Sequence, residues 1–241
     1  MKYSGLSNKG KVRGSNEDFF HIPFNREDVN LFIVADGMGG VNAGEVASSL
    51  AVASTAEFIH ENYSSATDIR LLLRQAVSEA NRTVYQTARS DKTFDSMGTT
   101  LVAAIIKDGL VYVANVGDSR CYILRKGEFR QISIDHSYVQ EMVDKGVLTP
   151  TEAQKHPKKN LITRAIGAER FVEVDVFCQS WEEHDRLLLA TDGLTGMLSE
   201  EKIKEIISSS ADCNRITEQL IQAANEAGGK DNITAVFIAN D

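Results

Sequence analysis

The sequence predicts an α+β fold, with helical stretches grouped at two places around a mainly antiparallel set of strands rather than alternating with them. Two observations carry this. A run of adjoining hairpins fills the middle of the chain, and amphipathic helical patterns lie on either side of it. A third observation bears on chemistry: the apolar runs Leu31 to Ala35, Val111 to Gly117 and Leu187 to Thr191 each end on an aspartate, and Asp231 opens the run Ile233 to Ala239.

Leu31 to Ala35 reads as the first buried strand, followed by helices at about 43 to 60 and 66 to 90. In the second helix Ile69, Leu72, Leu73, Ala76, Val77, Ala80 and Val84 repeat at the i, i+3, i+4, i+7 spacing, a single apolar stripe suited to covering a sheet. The hairpin block comes next. Thr99 to Ile106 and Leu110 to Val116 flank the turn Lys107-Asp108-Gly109, and Cys121 to Leu124 and Phe129 to Ile132 flank Arg125 to Glu128. Further strands are expected at about 171 to 178, 186 to 191 and 233 to 239, with helices near 200 to 208 and 214 to 227. Residues 137 to 170 stand apart. They hold Pro150 and Pro157, two of the chain's three prolines, and six Lys or Arg against four Asp or Glu; a short helix at 138 to 146 starts the segment and the rest reads as a surface excursion.

At 241 residues a single domain could bury roughly 70–75% of its unfolded surface, so no covalent staple is needed. A net charge of −8 argues against broad binding to nucleic acid or anionic membranes. Cys121, Cys178 and Cys213 are odd in number, far apart and outside any CxxC spacing, which reads as reduced core thiols. Met1 to Gly5 lacks the apolar stretch of a signal peptide and no apolar run has membrane-spanning length, so a cytoplasmic protein is expected. A monomer is expected because no long apolar stripe is left over.

Strand-end carboxylates that converge make an acidic pocket, costly unless cations fill it, and a pair of hard divalent ions is the cheapest filler. Asp-Gly is also a favoured turn dipeptide, and Asp108-Gly109, joining two strands directly, is left as a turn. Asp36 and Asp192 differ in context, opening Asp-Gly-Met-Gly-Gly and Asp-Gly-Leu-Thr-Gly, where glycines let backbone carbonyls approach an ion. Arg13 stands five residues ahead of Asp18 in Arg-Gly-Ser-Asn-Glu-Asp. Alone, Arg13 reads as a surface ion pair and Glu17-Asp18 as solvated carboxylates. Together, a metal-holding carboxylate and a guanidinium fork for two phosphate oxygens are minimal equipment for hydrolysing a phosphomonoester.

Arg13 to Asp18, Val34 to Gly40, Ser96 to Thr100, Asn115 to Arg120, Ala190 to Gly193 and Lys230 to Thr234 fall in the order found in metal-dependent Ser/Thr protein phosphatases of type 2C, and the chain resembles bacterial members of that family across nearly its whole length. The resemblance implies a four-layer α-β-β-α sandwich and one catalytic domain over residues 1 to 241, with 137 to 170 as a flap beside the site. It implies that Asp36 bridges two Mn²⁺ or Mg²⁺ ions with the Gly37 carbonyl as a further ligand, and that Asp192 and Asp231 complete the other site. Asp18 and Glu17 would act largely through water, Asn232 would support the set from behind, Asp118 would hold a third, weaker ion, and Arg13 would bind phosphate. A water shared by two such ions becomes hydroxide near neutral pH, so no phosphoenzyme is needed. An all-oxygen donor set favours Mg²⁺ or Mn²⁺ over Zn²⁺. Phosphoproteins, and a Ser/Thr kinase acting in opposition, are the implied partners.

In one position the chain departs from many eukaryotic members. Met38 stands where they carry a histidine proposed as the leaving-group acid, so that role passes to His136 or, preferably, to metal-held water near Asp118. Rival readings are weaker: a two-metal nuclease lacks a basic groove, a nucleoside triphosphatase lacks GxxxxGK[ST], and a non-catalytic relative would lack a metal aspartate.

Overall fold

The computed structural model describes residues 1–23, 29–40, 43–66, 68–94 and 96–241. Numbered along the chain, one antiparallel sheet runs in the order β1 (Lys2–Asn8), β11 (Ile233–Ala239), β10 (Arg186–Ala190), β7 (Arg120–Arg125) and β8 (Glu128–Gln131). The other runs β2 (Asp18–His21), β3 (Asn30–Met38), β5 (Leu101–Lys107), β6 (Leu110–Val116) and β9 (Asp175–Ser180), with β4 (Gly98–Thr99) paired to the end of β3.

The period-two alternation of the strands explains the stacking. On β3, Leu31, Ile33 and Ala35 face the helices α1 (Ala43–Asn62) and α2 (Ile69–Ser90), while Phe32 and Val34 face the other sheet. On β11, Val236 and Ile238 enter that same inter-sheet core, while Ala235 and Phe237 face α6 (Glu200–Ser208) and α7 (Cys213–Glu226). Strands buried on both faces must be apolar throughout, which is why they read as continuous runs. The layers are therefore helix, sheet, sheet, helix. The seven stripe residues of α2 are all buried, and at roughly 1.5–3 kcal/mol for a fully buried large aliphatic side chain the stripe accounts for the seat of this helix.

Several elements differ from expectation. β1 and β2 are too short and polar to show an apolar run; β1 is an edge strand, stabilised by its seven-residue register with β11. The strand expected from 171 begins at Asp175, where pairing with Asn115 starts; Val172 and Val174 pack into the core ahead of it. The segment 137–170 holds more structure than an excursion. After α3 (Tyr138–Asp144) comes α4 (Pro150–Lys155), whose start is a capping box: the Thr149 hydroxyl accepts from the Glu152 N–H, the Glu152 carboxylate accepts from the Thr149 N–H, and Pro150 occupies the first turn. Its far end joins the core through buried Ile166, which exchanges backbone hydrogen bonds of 3.1 and 2.8 Å with Thr99.

Candidate metal and phosphate site

Register brings the first two aspartates together: Asp18, opening β2, is the cross-strand partner of Asp36 on β3. Asp36 lies within its strand rather than at its end, because Gly37 and Met38 go on to pair with Thr99 and Gly98. Its backbone is gripped on both sides. The Asp36 N–H donates to the Thr100 hydroxyl at 3.0 Å, and its carbonyl accepts from the Thr100 N–H at 2.9 Å and the Thr99 hydroxyl at 2.8 Å. Thr100 is in turn 2.7 Å from the Ser119 hydroxyl, so the turn that carries Asp118 is tied to the strand that carries Asp36.

Asp192 and Asp231 come from the other sheet. Asp192 follows β10 after Thr191 and opens the short helix α5 (Asp192–Thr195), an element absent from the sequence expectations; Asp231 lies just before β11. The two meet because Gly193 has no side chain, since a Cβ there would stand 1.8 Å from the Asn232 carbonyl oxygen. A Cβ at Gly37 would likewise stand 2.0 Å from the Gly44 carbonyl oxygen and 2.6 Å from that of Glu17. Asn232 ties the N-terminal arm to this point: its side chain accepts from the Glu17 N–H and donates to the carbonyls of Lys9 and Ser15.

Buried Asp18 sits between the sheets. Its Oδ2 accepts hydrogen bonds from the hydroxyls of Thr191 (2.8 Å) and Thr234 (2.7 Å), while Oδ1 is buried with no hydrogen-bond partner. An orphaned buried carboxylate oxygen costs about 1–3 kcal/mol or more unless a cation or its water meets it. Thr191 and Thr234 belong to the Thr-Asp-Gly and Asn-Ile-Thr wording of the sequence, but nothing in their spacing shows that they clamp one carboxylate.

Burial, followed by repulsion from Asp192 and Asp231 and opposed by the two threonine hydrogen bonds, raises Asp18 to about 7. Burial raises Asp36 well above the carboxylate range, with Asp18 the largest of its repelling neighbours. Asp118 rises to about 7 through burial, then the charges of Asp192 and Asp135, with Arg120 opposing. Burial and Asp231 raise Asp192, against a hydrogen bond with Asp36. Each unit of rise is about 1.4 kcal/mol that a bound cation can return. The orphaned oxygen, the all-oxygen donors and the shared repulsion fit hard divalent ions. Among the described residues no three acidic, histidine or cysteine side chains close into a ready cage, as suits ions that keep part of their water.

Arg13 lies at the rim with half its side chain exposed, its Nη2 donating to Asp231 at 2.8 Å. Glu17 flanks it, raised by burial. His136 is not placed to donate a proton to substrate. It is buried, its Nδ1 accepts from the Gly117 N–H at 3.1 Å, and in that tautomer Nε2–H faces Asp175 at 3.3 Å. Burial lowers its pKa, against the hydrogen bond with Asp175. It is a strut beneath the Asp118 turn. A separate hollow of about 500 Å³ beside Lys2 and Cys213 lies by the far end of β11 from Asp231, roughly 25 Å away at strand spacing.

A family model described as protein phosphatase 2C matches residues 11–237. The chain is 40% identical over 237 residues to the serine/threonine phosphatase stp of Listeria monocytogenes serovar 1/2a, covering 98% of this chain and 94% of that one. It superposes on the Mycobacterium tuberculosis serine/threonine phosphatase PstP/Ppp with a TM-score of 0.90 at 36% identity, covering 98% of this chain and 97% of that chain. On a PstP catalytic domain solved with two manganese ions the TM-score is 0.88 at 34% identity, covering 100% and 98%.

Proposed function

Because the chain belongs to the protein phosphatase 2C family, and is thus a metal-dependent phosphatase acting on phosphoserine and phosphothreonine in proteins, we propose that its acidic centre is where the phosphoryl group is hydrolysed. The observation that carries this is Asp18 Oδ1, buried without a partner among aspartates that repel one another.

In this reading Asp36, the Gly37 carbonyl, Asp192 and Asp231 would hold two Mn²⁺ or Mg²⁺ ions, with Asp18 and Glu17 acting through water. Asp118 would hold a third, weaker ion, and Asn232 fixes the arm bearing Glu17 and Arg13. Bound there, the ions supply Lewis acidity and an activated water for direct attack on phosphorus. The residues of the chain do the rest. Arg13 turns its fork to two phosphate oxygens, aligning the ester for in-line displacement. Met38 has no proton to give and His136 is sequestered, so the leaving oxygen takes its proton from solvent held near Asp118. Residues 1–241 act as one catalytic domain, monomeric and cytoplasmic, opposing a Ser/Thr kinase, with 137–170 as its flap. Among the described residues no helix is long and apolar enough to cross a membrane.

The test is hydrolysis of p-nitrophenyl phosphate and a phosphothreonine peptide with Mn²⁺ in ¹⁸O-water. We expect one labelled oxygen per released phosphate, no trapped phosphoenzyme, and loss of turnover on chelation. Arg13→Ala should raise KM for the peptide about tenfold while calorimetry still finds bound Mn²⁺. Turnover that survives chelation, or an unchanged KM, would overturn the corresponding assignment.

A further inference from the structure

Beside the acidic centre lies a cleft of about 820 Å³ between the last turns of α2, the loop that follows it, and the chain returning from the 137–170 segment. We propose that it receives the stretch of the phosphoprotein that flanks the phosphorylated residue, seating an apolar side chain against half-buried Met38 and a carboxylate at Arg89 and Lys92. The inference rests on the reading of the acidic centre given above.

Position is the first argument. Met38 belongs to both regions: it is two residues beyond Asp36 on the same strand, and it lines the cleft opposite Gly98, its β-bridge partner. A peptide whose phosphate reaches Asp36 and Arg13 must lead its chain out past some wall of the site, and this opening adjoins it. The volume is within the range of specific ligand pockets, roughly 300–1,000 Å³, so a short extended segment fits.

The lining gives the chemistry. Gly98 and Ala165 leave the floor low, since a Cβ at Gly98 would stand 3.7 Å from Met38 Cγ and 3.8 Å from Ala165 Cβ, and methionine is an unbranched, adaptable surface for varied apolar groups. Two exposed cations stand at the rim. The Arg89 guanidinium lies 4.6 Å from the centroid of the Tyr85 ring, which holds it at the mouth, and Lys92 follows just past the end of α2. The acid described there, Asp91, is partly engaged, its Oδ1 accepting from the Thr93 N–H at 2.8 Å. In a chain of net charge −8, such a pair beside a cleft is a specific provision for an anionic residue.

The test uses phosphothreonine peptides of one core sequence flanked by glutamates or by lysines, with p-nitrophenyl phosphate as the substrate too small to enter the cleft. The parent should prefer the glutamate peptide in kcat/KM by about fivefold, expressed in KM. Arg89→Glu with Lys92→Glu should reverse that preference. Ala88→Trp, filling the cleft from α2, should lower kcat/KM for both peptides about tenfold, and neither variant should alter p-nitrophenyl phosphate hydrolysis or Mn²⁺ binding. A preference untouched by charge reversal, with p-nitrophenyl phosphate turnover intact, would overturn the cleft. If the small substrate falls together with the peptides in the charge-reversed protein, the residues support the centre itself and the cleft proposal is likewise overturned. Absence of small-substrate turnover in the parent would instead fault the acidic centre.

Discussion

At the acidic centre Asp18 is held between two sheets by buried hydroxyls at 2.8 and 2.7 Å, whereas in the 137–170 segment exposed Lys158 rests its ammonium 5.2 Å from the centroid of the Tyr138 ring. The first region is strand-borne and over-determined: Asp36 is gripped by Thr99 and Thr100, and Asp192 is drawn to Asp231 by a glycine that leaves no room for a methyl group. The second is assembled from short capped helices and rejoins the core at Ile166. The difference teaches how labour divides in this fold. Charges that repel one another need a frame that cannot relax, while contacts to a varied protein surface need exposed side chains on elements of modest stability.

The largest expected effect breaks the first region. Asp36→Asn or Asp192→Asn should cut kcat/KM by about 10³-fold, on the order of 4 kcal/mol of transition-state stabilisation, on small and protein substrates alike. Near-parent turnover at saturating Mn²⁺ would show that these carboxylates are not ligands.

The next effect is thermodynamic. Asp18 and Asp118 stand near 7 in the metal-free fold against 3.8 for the ordinary side chain. A raised folded-state pKa contributes stability that is complete below about pH 4 and is lost as pH climbs through 7, because ionising the buried group costs the fold more than the unfolded chain. The chelated protein should therefore lose Tm between pH 5 and pH 7.5, and Mn²⁺ should restore most at the upper end. A chelated Tm that rises over that interval would contradict the origin given for the strain; Asp118→Asn should flatten the slope.

Smaller effects sharpen the second region. Changing Lys155, Lys158 and Lys159 together to alanine should lower kcat/KM for a phosphoprotein about three- to tenfold and blunt its salt dependence, leaving p-nitrophenyl phosphate unaffected. An equal fall on both substrates would assign the segment to the metal site or the fold. The smallest effect is at the α4 cap. Thr149→Ala should cost about 1 kcal/mol, read as faster hydrogen exchange over 149–155, with no change in small-substrate turnover. Unaltered exchange would mean the box does not hold that helix.

The two helices expected at about 43 to 60 and 66 to 90, found at 43–62 and 69–90, the hairpins around Asp108 and Arg125, and the four aspartates at or near strand ends are legible along the chain, because doubly buried strands and an amphipathic stripe write their burial into local periodicity. β1 and β2 were not, since a polar edge strand and a four-residue strand take their stability from partners distant in sequence. α4 differs, because its Thr149-Pro150-Thr151-Glu152 start is a local capping signal, masked by the prolines around it. Which aspartates share a pocket, that Thr191 and Thr234 clamp Asp18, that His136 meets the Gly117 N–H, and that a cleft opens at Met38 depend on register between strands more than two hundred residues apart. Local patterning records which residues must leave water; which buried groups then meet is a matter of closure and close approach, and those are properties of the folded chain.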